Sequence, residues 1–163
     1  MKLVEKIKSI FDEAVPGRDV KNPVIPVLQK YISNPQLEII AAKVGFALKI
    51  VYADNVVTEE EIEALHELLK KYTGKTGADI SAMARDLLNI ENLDLEMLHF
   101  SSAMNEQLDE EGRQEFLFDL FRLAHADDEY ALVEESDIRL ISKYLLLNHQ
   151  AFIEARNRYQ AEN

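Results

Sequence analysis

Ala53-Asp54-Asn55-Val56-Val57-Thr58-Glu59-Glu60-Glu61 ends one apolar run and opens an acidic one, and Ala126-Asp127-Asp128-Glu129-Tyr130-Ala131-Leu132-Val133-Glu134 repeats the pattern. In both stretches a helical run closes on Ala-Asp, a short turn follows, and a Glu stands seven residues beyond the Asp. The second copy lies 73 positions after the first, Asp54 matching Asp127 and Glu61 matching Glu134. The flanks agree at that offset: Val44, Ala47, Leu48 and Ile50 fall on Leu117, Leu120, Phe121 and Leu123, and Leu65 and Leu68 on Ile138 and Ile141. A repeat of this length is one supersecondary unit used twice. The fold expected is all-α, a single domain of seven or eight helices built from two pseudo-repeated helix-turn-helix halves.

Outward from the repeats, helical spacing persists. Leu3, Val4, Ile7, Ile10 and Phe11 form one stripe, so residues 1–23 read as an amphipathic N-terminal helix and a proline-punctuated connector. Residues 24–163 then form the helical domain. A short helix over Val24 to Ile32 precedes a long one from about Pro35 to Ala53, where Gly45 implies a close helix crossing because glycine otherwise costs about 1 kcal/mol in a helix. Thr58 and Glu61 have capping-box spacing, and Thr73-Gly74 ends that helix. Further helices are expected over Gly77 to Leu88, Leu93 to Met104 (with Leu95, Leu98 and Met104 inward), Asp109 to His125 and Val133 to Leu147, and a last one opens at Asn148. No segment has strand periodicity.

Composition removes several function classes. Eighteen basic residues against 30 acidic give a net charge of −12. Nucleic-acid binding, which rests on Lys and Arg displacing counterions, is not expected, and cations or basic partners are. With no cysteine, disulfides, thiolate metal sites and thiol redox chemistry are excluded. No apolar run approaches the roughly 18 residues of a membrane span, and no signal-peptide core opens the chain, so a cytoplasmic protein is expected.

The second turn carries Asp127, Asp128, Glu129, Glu134, Glu135 and Asp137, six acids in eleven residues with no base before Arg139. Two carboxylates about 4 Å apart repel by roughly 4 kcal/mol at an effective dielectric near 20. Such a cluster spreads into water, takes up protons or recruits a cation, and hard divalent ions, Ca²⁺ or Mg²⁺, suit oxygen donors. The candidate metal ligands are therefore Asp127, Glu134, Asp128 and Glu129, with Asp54 and Glu61 at the first turn. An EF-hand is excluded because Leu65 and Ile138 occupy the position of its terminal Glu. Glu61 also has a structural reading as the return arm of a capping box, whereas Ala131 stands where Thr58 would be in the second copy. His125 either tunes these acids or serves as a cation at a helix C-terminus. No nucleophile elbow, phosphate-cradling loop or dinucleotide fingerprint is present, and no enzyme activity is expected.

Two helical halves each carrying Ala-Asp-x-x-hydrophobic and a following Glu resemble the tellurite-resistance TerB-like family. The run Asp119-Leu-Phe-Arg-Leu-Ala-His-Ala-Asp-Asp-Glu-Tyr130 and the helix through Ala151 to Arg156 are similar to that family's second half, and the likeness spans roughly Leu28 to Tyr159. Asn55 and Asp128 replace the family's glycine. Both tolerate a left-handed backbone. The resemblance implies an acidic, all-helical bacterial stress-response protein, divalent-cation binding in some members, and association with membrane-bound complexes, which adds a peripheral place at the inner membrane to the cytoplasmic expectation. Tellurite is an anion that acidic turns repel, so no direct tellurite binding is expected. Two readings of function stand: a non-enzymatic module whose acidic turns take a cation and whose surface meets a protein partner, and a metal-independent adaptor or homodimerisation module working through the N-terminal helix and a groove between the halves. Carboxylate-based hydrolysis would require a deep pocket holding two of the acids.

Overall fold

Helical periodicity becomes eight helices among the residues described by the computed structural model, which are 22–53, 56–90, 97–126 and 132–162. They are α1 (Val24–Leu28), α2 (Leu37–Val51), α3 (Glu59–Thr73), α4 (Ala78–Leu88), α5 (Met97–Gln107), α6 (Glu110–Ala124), α7 (Leu132–Tyr144) and α8 (His149–Glu162). No described residue is in a strand, and the all-α expectation holds. The N-terminal stripe through Phe11 lies outside the described residues, as do Leu95 and the turn residues Asp54, Asp127, Asp128 and Glu129.

Side chains at the boundaries explain where helices start and stop. The Thr58 hydroxyl accepts from the Glu61 N–H at 3.2 Å while Glu61 Oε1 accepts from the Thr58 N–H at 3.4 Å, a complete capping box. Gly74, at φ 72°, closes α3 by donating its N–H to the Lys70 carbonyl. Asp109 caps α6 at Gly112 and Asn148 caps α8 at Ala151, at 2.7 and 2.8 Å. The helix expected from Pro35 starts at Leu37 instead, because Asn34 Oδ1 takes the Gln36 N–H and holds Pro35 in the preceding turn. At the end of α7, Leu146 takes φ 58° while Leu147 N–H bonds the Ser142 carbonyl and Leu146 N–H bonds that of Lys143. That is a Schellman closure built on leucine where glycine is usual.

The two repeated long helices, α2 and α6, pack on each other and form the core, with Phe46, Leu48, Phe116 and Phe121 fully buried. Each post-turn helix also reaches across: α3 lies against α6 as well as α2, and α7 against α2 as well as α6. One further helix covers each central one, α5 on α2 and α8 on α6, while α1 and α4 complete the first half. Gly45 marks the expected crossing, since a Cβ there would stand 2.8 Å from the Phe100 ring of α5. Leu98, expected to face inward, is 71% exposed. The inward stripe of α5 is Phe100, Ser101, Ala103 and Met104, and Leu98 lies on the opposite side of the helix.

Candidate functional site

Glu61 and Glu134 occupy matching places, each in the first turn of a post-turn helix, and each is only 3% exposed. Carboxylates are seldom buried so far without compensating partners. For Glu61 the partners are visible: Oε1 accepts from the Thr58 backbone and, at 3.2 Å, from its hydroxyl. Among the described residues, no group of three or more His, Asp or Glu is arranged to hold a metal ion, and the remaining candidates Asp54, Asp127, Asp128 and Glu129 lie outside those residues.

Part of the charge attributed to the second turn is met within the protein. Glu135 pairs with Arg156 at 3.3 Å and Arg139 at 3.6 Å, and Asp137 with Lys49 at 3.8 Å. Arg156 comes from α8 and Lys49 from α2, so a count of bases close in sequence misses both. His125 caps α6 by pointing Nδ1 at the Phe121 carbonyl, 2.8 Å away, and its ring stacks on Tyr159 with centroids 4.5 Å apart. A carbonyl only accepts, so that nitrogen carries the proton.

A second polar centre was not foreseen. Asp119, 2% exposed in the apolar run Phe116 to Phe121, accepts from Lys71 Nζ at 2.8 and 3.0 Å and from the Tyr72 hydroxyl at 2.8 Å. Lys43 lies over the Tyr72 ring, 5.0 Å from its centroid. Burial, and then the Asp119 charge and hydrogen bond, push the Tyr72 phenol well above its ordinary range. Burial lowers the Lys43 ammonium, helped by Lys71 and opposed by Asp119. At the rim, the Arg158 hydrogen bond holds Glu115 below the usual carboxylate range. The available signal was a lone carboxylate among five apolar neighbours, at the position where Phe46 stands in the first copy.

Between α3 and α6 runs a cleft. One recess, about 550 Å³, is lined by Glu60, Glu63, Ala64, His66, Glu67, Lys70, Arg122 and Ala126. A second, about 400 Å³, shares Ala64, Glu67 and Arg122 with it and adds Leu68, Lys71 and Leu123. The cleft runs between the two halves and carries Glu60 and Glu63 at the end where α3 begins.

The architecture defines a duplicated all-helical protein with a buried glutamate in the helix that follows each repeated turn. The chain belongs to the family described as tellurite resistance protein TerB, whose model matches residues 40–157, from α2 into α8 and across both repeats. That membership ties the protein to tellurite resistance. No curated protein and no solved structure matches the chain. No helix among the described residues is long and apolar enough to cross a membrane.

Proposed function

We propose that the protein is a non-enzymatic binding module whose acidic turns take a divalent cation and whose helical surface engages a protein partner, in the setting of a membrane-associated resistance complex. The observation that carries the reading is the matched burial of Glu61 and Glu134, both 3% exposed. A carboxylate kept inside at both copies of a repeat, seven residues beyond a repeated Asp, is what a repeated ion site requires. The donor set fits a hard cation, since every candidate ligand offers carboxylate oxygen. Asp127 and Glu134, with Asp128 and Glu129, would hold the ion at the second turn, and Asp54 and Glu61 at the first. The second turn, with three consecutive acids from Asp127 to Glu129 against the single Asp54 of the first, is the better binder. A bound cation would supply charge neutralisation at the turn and link the ends of α6 and α7. Nothing in this reading involves tellurite directly; the contribution to resistance runs through the partner.

Calorimetry with Ca²⁺ and Mg²⁺ on the wild type and on Glu134→Gln tests the cation. Saturable heat is expected for the wild type and at least tenfold weaker binding for the variant. The wild type should also gain about 2.7 kcal/mol of stability at a hundredfold excess of metal over Kd. Absence of both effects at millimolar metal removes the cation. The second reading, a metal-independent adaptor, then stands, and it is favoured in its own right by the cleft between the halves.

A further inference from the structure

Three features of the α3/α6 cleft narrow the kind of partner. Glu60, Glu63 and Glu67 stand on one face of α3 and line it, a row roughly 10 Å long at helical rise. All three are exposed, and among the described residues Glu60 and Glu63 make no hydrogen bond or ion pair while Glu67 meets only Lys70 of its own helix. Like charges at these spacings repel along a helix. Apolar side chains lie alongside: Ala64 and Ala126 in the recess that holds the three glutamates, and Ala64, Leu68 and Leu123 in the second recess next to Glu67. Bases line both recesses, Lys70 and Arg122 the first and Lys71 and Arg122 the second, but Lys71 is held by Asp119 and Arg122 by Glu162, which leaves Glu60 and Glu63 as the uncompensated charges.

We infer that this cleft is a docking groove for a basic amphipathic helix of a partner protein, laid antiparallel to α3 with Lys or Arg over Glu60, Glu63 and Glu67. Basic residues three and four apart on such a helix match the acidic row turn for turn. The apolar face meets the apolar side chains of the cleft, as in other helix-in-groove complexes. Antiparallel orientation follows from the charges. The partner's C-terminal half, where basic residues are favoured by the helix dipole, then lies over the acidic end, and its N-terminal half extends along the second recess, away from the glutamate row. A flexible polyamine would satisfy the glutamates but leave the apolar side chains unused. This inference rests on the partner half of the proposed function and is independent of the cation half.

The test is fluorescence anisotropy with a labelled 18-residue peptide of alternating Leu and Lys faces, Lys at i, i+4 and i+7. Three proteins are compared: wild type, Glu60→Gln/Glu63→Gln/Glu67→Gln, and a charge-matched control, Glu38→Gln/Asp79→Asn/Glu106→Gln, whose residues are exposed and lie outside the cleft. The groove variant should weaken binding about tenfold and the control less than twofold. Ala64→Arg, which fills the cleft with a like charge, should weaken it further. Equal losses in the groove and control variants overturn the inference, as does displacement of the peptide by spermine at equal charge concentration. Glu134→Gln and chelator separate the two proposals. Peptide binding that survives both supports the groove whatever the cation result, and metal heats without peptide binding overturn the groove alone.

Discussion

Asp119 sits among phenylalanines and is held there by Lys71 and Tyr72, residues 48 and 47 positions away in sequence. Nothing near it in the chain announces those partners, which is why the polar centre was illegible before the fold. The same holds for Glu135 and Asp137, whose bases Arg156 and Lys49 arrive from other helices. Glu61 was legible because its partner Thr58 is three residues away. Removing the phenol in Tyr72→Phe takes a hydrogen bond from a buried carboxylate, a loss of about 1.5–3 kcal/mol in urea denaturation at pH 8. The pH dependence has a definite sign. The folded phenol holds its proton more tightly than the unfolded one, so this stability is complete below the ordinary value of 10.0 and is lost as pH rises through the higher folded value. The wild type should therefore approach Tyr72→Phe above pH 10. A difference that stays constant across that range would show that Tyr72 is not the group responsible.

Helices were the legible scale, because 3.6-residue periodicity and local caps both act over a few neighbours. Thr58, Gly74, Asp109 and Asn148 each set a boundary by bonding within their own turn. Leu98 shows the limit. An apolar residue does not by itself fix the inward face of a helix, and the side that α5 buries runs through Phe100, Ser101, Ala103 and Met104. The crossing of α5 over α2 gives a sharp expectation for Gly45. Alanine there gains about 1 kcal/mol of helix propensity, but its Cβ would meet the Phe100 ring at 2.8 Å. That ring is fully buried and edge-packed on Phe46, with centroids 5.6 Å apart. Overpacking of this kind costs about 1–3 kcal/mol, so Gly45→Ala should lower the melting temperature. Gly45→Ala/Phe100→Leu should recover part of the loss, and a stabilised single variant would contradict the crossing.

Across the whole molecule, stability depends on contacts that the halves exchange. Central helix α2 is covered by α5, α6 and α7, all from beyond residue 90, and α6 needs both α2 and α3. Polypeptides 22–90 and 97–163 should each lack a cooperative melt when alone, by circular dichroism, and should recover helicity and cooperativity when mixed. A first half that melts cooperatively by itself would show that the exchange contributes little. Periodicity could count the helices but could not say which half each would lie against, because the repeat fixes what is duplicated and not how the copies meet.

Reciprocal placement of α3 on α6 and α7 on α2 is the geometry of an isologous dimer whose subunits share one chain. Two identical subunits must carry the same residue on both sides of their axis; covalently joined halves need not. Phe46 and Asp119 occupy corresponding positions, one filling the core and the other anchoring Lys71 and Tyr72. Joining the halves is what permits one face of the pseudo-dyad to specialise in charge while its mate stays oily.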